Sequence, residues 1–391
     1  MTYSWRGRLT SFVRTVATRR DLAALVKTAC LYPSLLLGVE LDDACAAMRH
    51  AADALQVDLV EVWKKRGMDG RERSRNIFSE LHRQLFLGHF DGVDRVDDDL
   101  NRYRPDLVRE LLAVLFALLP NLKNLAFRTE VGVFADVPAT AMSALGVPKL
   151  PLQTLETGFI PKYLSRLTQD LECLTLDCLG RRVEKFDFPR LKSVCLRGLR
   201  VNEDFGRIVE SCPDSPSSFA YETSGVPVTS IGVVQPSDAV AQLSKFCGTL
   251  KSLRLDLRFM TLVFYRIRMD TLPSLEDSTA LESLFLTTNA IYHANNLELA
   301  DENFLVNILP PSIVSLTLAK TTSAIPQRLR RGLLGLAEYR QRDPERFCKL
   351  KLVECDTEVC FDSYIKEALG EVSIDLEYEE FPRQDWSYDG Q

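Results

Sequence analysis

Three observations predict an α/β solenoid. Apolar residues recur at the fourth place of nine short stretches between Leu122 and Leu352, and at the first and sixth places of most of them. Helix-compatible segments separate most of those stretches, and a mainly helical run precedes them. The spacing is that of the leucine-rich repeat, in which a short strand and a return segment form one unit. A single unit cannot bury its own apolar face, so the units must stack. The expected fold is thus a curved, irregular leucine-rich-repeat solenoid with a helical N-terminal region.

The helical region comes first. Between residues 5 and 20 stand Arg6, Arg8, Arg14, Arg19 and Arg20 and no acid, while Leu9, Phe12, Val13 and Val16 share one helical face. Two readings are open: a mitochondrial transit segment, or a first amphipathic helix docked on the domain. The apolar continuation from Asp21 to Val26 favours docking. Leu22 to Leu31 reads as a helix end running into a short strand. Asp42 to Lys65 reads as one long Ala-rich helix, with acids at its start and bases at its end to suit the dipole. Ser74 to Phe90 reads as another, then an acidic turn over Asp91 to Asp99, then a helix from Asp106 to Leu118 stopped by Pro120.

The repeats follow. LESLFLTTNAI (281–291) matches the pattern at every place, with Leu284 and Leu286 inward on the strand and Asn289 in the turn position. LKNLAF, LQTLET, LECLTL, LKSVCL, LKSLRL and IVSLTL supply further copies, and PSSFAY is a degenerate one with Phe219 and Tyr221 on the strand. FCKLKLVEC is aligned with Phe347, Leu350 and Leu352 inward and Cys355 in the turn. Successive first positions lie 19 to 34 residues apart, so the array carries insertions. Helices are expected over Pro161–Thr168, Glu203–Cys212, Ser237–Phe246, Asp301–Leu309 and Gln327–Arg340, and VSIDLEY supplies a last strand. The domain plan is a helical cap over 1–120, the repeat arc over 121–381 and a tail over 382–391.

LLPNLKNLAF (118–127), GFIPKYLSRLTQDLECLTLDCL (158–179), LPSLEDSTALESLFL (272–286) and LVNILPPSIVSLTL (305–318) resemble segments of filamentous-fungal F-box and leucine-rich-repeat proteins. RLTSFVRTVATRRDLAALVKT (8–28) resembles the segment that follows the F-box in that family. The resemblance implies a recognition arc that selects substrates for a cullin-type ubiquitin ligase. The F-box itself, which would dock the ligase adaptor, is not visible. Nothing from 8 to 120 has its Leu-Pro opening, so adaptor docking is placed in doubt.

Composition limits the chemistry. A net charge of −6 over 391 residues makes no case for nucleic acid. No apolar run reaches the ~18–20 residues that cross a bilayer, and dilute cysteines without a C-x-x-C pair point to a cytoplasmic or nuclear chain. No phosphate loop, G-x-S-x-G or H-E-x-x-H occurs, so neither catalysis nor a cofactor is expected. His82 and His89 stand two helical turns apart, too far to share an ion, and His50 and His293 are distant in sequence. Cys173 with Cys178 and Cys355 with Cys360 are read as structural or incidental thiols, not zinc ligands. Arg95 and Val93 stand at ligand places of any calcium loop starting at Asp91.

What remains is the concave strand face. Its outward residues are expected to include Arg128, Thr175, Arg197, Arg254, Asp256, Phe285, Thr317 and Lys351, flanked by Glu222. A mixed-charge surface with one exposed aromatic suits a protein or peptide partner better than a polyanion. Phe285 is the expected anchor. The expected role is non-catalytic protein binding; the alternative is a structural scaffold, or a degenerate paralogue without an F-box or a ligase role.

Overall fold

Eleven strands repeat one local pattern, in which alternate side chains point into an apolar interior. They are β1 (Thr28–Leu31), β2 (Asn124–Phe127), β3 (Thr154–Thr157), β4 (Cys173–Asp177), β5 (Ser193–Arg197), β6 (Ser218–Glu222), β7 (Ser252–Asp256), β8 (Ser283–Thr287), β9 (Ser315–Ala319), β10 (Leu352–Cys355) and β11 (Asp375–Tyr378). The computed structural model describes residues 8–32, 39–65, 96–127, 139–158, 164–177, 185–199, 202–213, 216–223, 234–258, 270–292, 301–319 and 326–381. The chain divides into two compact units, Met1–Leu174 with Phe186–Arg190, and Thr175–Lys185 with Leu191–Gln391.

In the first unit the amphipathic helix Arg8–Thr18 buries Leu9, Val13 and Val16. It packs on the helices Leu41–Leu55 and Val96–Leu118, as docking requires. The expected long helix from Asp42 is broken. Gln56 turns left-handed at φ 56° and ends the first part at Leu55. Asp58 Oδ1 then accepts from Val60 N at 2.8 Å and caps a second helix, Leu59–Lys65. Trp63 Nε1 donates to Glu110 Oε2 at 3.0 Å, tying that helix to Val96–Leu118. The latter starts ahead of Asp106, so Asp97 to Asp99 are helical and not a turn. Acids near a helix start are favoured by its dipole. The helix expected over Ser74 to Phe90 lies outside the described residues.

β1 pairs with β2, and β2 with β3, all in parallel. The ladder therefore includes a strand from inside the region expected to be a helical cap. In the second unit β5 to β11 pair in chain order, again in parallel.

A recurrent device sets the register. The residue just before a strand repeatedly lends its carbonyl to successive N–H groups of the next repeat. Lys123 O accepts from Gln153 N and Thr154 N, Ser217 O from Lys251 N and Ser252 N, Lys251 O from Glu282 N and Ser283 N, and Glu282 O from Val314 N and Ser315 N. Lys351 N continues the series onto Val314 O. The inward leucines then align: Leu253, Leu284, Leu316 and Val353 stand in register and are almost fully buried. Burying such side chains is worth ~1.5–3 kcal/mol each before entropic costs.

That series corrects the last repeat. Val353 and Cys355 point inward and Leu352 is half-buried, so the unit begins at Leu350 and not at Phe347. Lys351 precedes the strand, and Glu354 faces outward beside Thr317. An odd displacement in register exchanges the two faces of a strand. Cys355 is thus a buried strand residue, and its sulfur is joined to that of Cys360. Expected helices elsewhere are present as Asn202–Ser211, Pro236–Leu243 with a 3₁₀ turn to Phe246, Asp301–Ile308 and Pro326–Arg342, and Leu164–Leu167 is helical within the one expected over Pro161–Thr168, whose first three residues lie outside the described residues.

The helices Asp301–Ile308 and Pro326–Arg342 approach closely through Gly332 and Gly335. A Cβ at 332 would meet the Tyr292 hydroxyl, and one at 335 would run into the Glu302 backbone. Asp301, buried to 6% exposure, holds Arg328 Nε at 2.8 Å and also pairs with Arg331. Gly370, in the helix Ser363–Glu371, faces open space, with no atom within 4 Å of where a Cβ would stand. Gly335→Ala is therefore expected to cost about 1–3 kcal/mol of stability through overpacking against rigid backbone. Gly370→Ala is expected to gain up to about 1 kcal/mol from helix propensity. Urea unfolding of the two variants beside the wild type reads both, and a neutral or stabilised Gly335→Ala contradicts the close packing.

Candidate functional site

Strand alternation puts one row of residues across the outward face of β5 to β10. The parallel register aligns Cys195, Ala220, Arg254, Phe285, Thr317 and Glu354, each beside the next. A second row begins with Arg197, Glu222 and Asp256. Cross-strand neighbours in a parallel sheet are about 4.8 Å apart, so opposite charges along a row meet directly.

They do so here. Arg197 Nε donates to Glu222 Oε2 at 3.2 Å. The other Glu222 oxygen lies 3.1 Å from Arg254 Nε as an ion pair, out of line for a hydrogen bond. Arg254 also donates to Asp256 Oδ2 at 3.0 Å. Arg258, just past β7, grips both Asp256 oxygens, from Nε at 2.9 Å and from Nη2 at 2.6 Å. The Asp256 and Arg258 side chains are 8% and 4% exposed. Burial alone would lower the Arg258 pKa, but the hydrogen bond and charge of Asp256 outweigh it and raise the value. A two-pronged pair is the geometry that offsets desolvation best.

The aromatic centre is built on this network. The Arg254 guanidinium lies 3.7 Å from the Phe285 ring centroid, a stacking that the carboxylates hold in place. Phe381 also packs on it, its ring 5.5 Å from that of Phe285 at 79°, edge to face. The Arg258 Nη1 donates to the Phe381 carbonyl at 2.6 Å. Phe285 is consequently only 7% exposed. The expectation of an exposed aromatic anchor is thus corrected: the ring does point away from the leucine interior, but the chain's own C-terminal segment covers it.

The other expected residues divide. Arg197, Arg254 and Asp256 come together as described. Thr317 stands on the face and donates to Glu354 Oε2 at 2.8 Å. Thr175 is half-buried on β4. Lys351 is exposed ahead of β10 and leaves the row, its place taken by Glu354. Arg128 lies outside the described residues, as do His82, His89, His293 and Cys178. Arg258, Glu354 and Phe381 were not anticipated. Arg258 could have been suspected from Asp-x-Arg at the end of β7, and Glu354 from the correct register. Phe381 lies 123 residues from Arg258 in sequence, and no local signal announces it.

The Cys195 thiol is pushed up to about 11, chiefly by burial and then by Glu222, so it is a protonated thiol near neutral pH. Among the described residues no three His, Cys, Asp or Glu side chains are placed to hold a metal ion. No described helix is long and apolar enough to cross a membrane.

No protein-family model matches the chain, and no curated protein matches it. Among solved structures it is similar to the leucine-rich-repeat-containing protein LegL7 from Legionella pneumophila, with 12% identity, a TM-score of 0.39, and coverage of 68% of this chain and 85% of that one. The repeat architecture described above stands on this chain's own strand register and buried leucines.

The Asp256–Arg258 pair is the part of the site with the largest energetic consequence. Asp256→Ala takes away the carboxylate that grips a buried guanidinium and is expected to cost about 3–5 kcal/mol. Asp256→Ala combined with Arg258→Met removes both charges and is expected to be more stable than Asp256→Ala alone. Denaturant melts of the single and double variants decide it; strict additivity of the two substitutions contradicts the pairing.

Proposed function

We propose that this chain is a non-catalytic protein-binding module that uses the outward face of β5 to β10. The observation that carries the reading is the fixed network of Arg197, Glu222, Arg254 and Asp256 across two neighbouring rows, whose side chains are held by one another before any partner arrives. Ordering a long side chain at an interface costs ~0.5–1.5 kcal/mol, so residues already held meet a partner at lower cost. The half-buried Thr317 and the thiol of Cys195 add small contact points on either side of Arg254 and Phe285.

A more specific role follows from the wording of segments 8–28, 118–127, 158–179, 272–286 and 305–318: selection of substrates for a cullin-type ubiquitin ligase. The scaffold alternative shares the fold and the face but not the consequence for a partner.

The test is capture by tagged full-length chain in cells, comparing wild type with Thr317→Arg. That substitution adds a long charged side chain to the outward row and leaves the leucine interior untouched. The partners that wild type enriches are expected to fall at least about tenfold, roughly 1.4 kcal/mol, with an unchanged melting temperature. Undiminished capture by a folded Thr317→Arg removes the face from the reading. Ligase substrate selection further predicts that a captured partner gains ubiquitin when the chain is overproduced, and the scaffold alternative predicts no change.

A further inference from the structure

We propose that the Phe285 site is a docking site for an extended peptide that presents an aromatic side chain, and that Phe381 occupies it in cis as a stand-in for that partner. The inference deepens the protein-binding reading and rests on it.

Two different groups recognise the one residue Phe381. Its ring meets Phe285 edge to face at 5.5 Å. Its main-chain carbonyl accepts from Arg258 Nη1 at 2.6 Å. A ring slot with a donor aimed at the adjoining carbonyl is how a site holds one residue of an extended segment: the ring supplies selectivity, and the carbonyl contact is blind to sequence. The Arg254 guanidinium also lies over Phe285, 3.7 Å from its centroid. The slot is built from the rigid part of the chain, since Arg254 and Arg258 are both locked by Asp256.

The occupant arrives by a path that differs from the rest of the fold. β11 ends at Tyr378, where Glu379 N donates to Cys355 O. Three residues beyond Tyr378 the chain has left the strand ladder and lies over β8, and β9 and β10 stand between β8 and β11. Phe381 itself is only half-buried. Its ring adds nothing to the leucine interior, so removing it leaves that interior packed.

A further observation lies on the same face. Thr287, two residues beyond Phe285 and pointing the same way, is completely buried, and no described residue hydrogen-bonds its hydroxyl. A buried hydroxyl without a partner costs ~1–3 kcal/mol. The unsatisfied hydroxyl lies next to the Phe285 slot on the same strand. The partner chemistry that fits the slot is an extended segment with one aromatic residue whose carbonyl can accept from Arg258.

The experiment uses the full chain and a fluorescein-labelled peptide of residues 376–385, LEYEEFPRQD. Binding is read by anisotropy for wild type, Phe381→Ala, and Phe381→Ala with Phe285→Leu. A site filled in cis nine-tenths of the time loses about tenfold in apparent affinity. Phe381→Ala is accordingly expected to bind the peptide at least about tenfold tighter than wild type. Adding Phe285→Leu, which keeps an apolar side chain of similar bulk, is expected to abolish the gain, as is replacing the peptide's phenylalanine with alanine. Unchanged circular dichroism and melting of Phe381→Ala confirm that the fold is kept. Equal binding by wild type and Phe381→Ala, binding by neither up to about 1 mM, or equal binding of the alanine peptide overturns the proposal. If that happens while Thr317→Arg still loses its cellular partners, the face binds protein but Phe381 is only a structural cover. Loss of both results removes the protein-binding reading as well.

Discussion

The carbonyl that precedes a strand and accepts from N–H groups of the next repeat is the constraint on which the rest depends. It joins consecutive units at the same point of each turn, and it determines which side chains point inward. Leu253, Leu284, Leu316 and Val353 are buried together because those carbonyls align their strands to within a residue. The outward row is the necessary complement. Once the leucines are inward, Arg254 must stand between Ala220 and Phe285, and Thr317 between Phe285 and Glu354.

The charges on that row behave differently from solvated surface charges. An exposed ion pair contributes little because both partners remain hydrated and mobile. Asp256 and Arg258 have instead lost nearly all contact with water, and their two-pronged bond offsets that desolvation. The same carboxylate orients Arg254, whose guanidinium lies over the Phe285 ring. One buried aspartate thereby positions both arginines around the aromatic ring. The close helix contact through Gly332 and Gly335 repeats the theme with Asp301, which gathers Arg328 and Arg331 at a point where the backbones touch.

Several elements were legible because their signals are local. Arg8–Thr18 carries its period of apolar residues openly, and the strands at Leu253 and Leu284 carry the full repeat spacing. Two misreadings have equally local causes. Ala-rich sequence ahead of Gln56 conceals a left-handed residue that splits the helix. FCKLKLVEC contains apolar residues at 347, 350, 352, 353 and 355, so two registers fit, and the wrong one presents Lys351 in place of Glu354. Only pairing with β9 distinguishes them, since Val353 must align with Leu316.

The sequence by itself determined the strand-and-helix repeat, the inward leucines and most of the outward residues, because side-chain alternation and repeat spacing are properties of a few neighbouring positions. Tertiary structure decided what happens to the outward face. Arg197, Glu222, Arg254 and Asp256 are scattered over three strands and become one network only when those strands pair. Phe285 reads as an exposed ring from any window of sequence, yet Phe381 covers it from nearly a hundred residues away. Whether a side chain is available depends on what the whole chain lays over it, and that is not encoded in its neighbours.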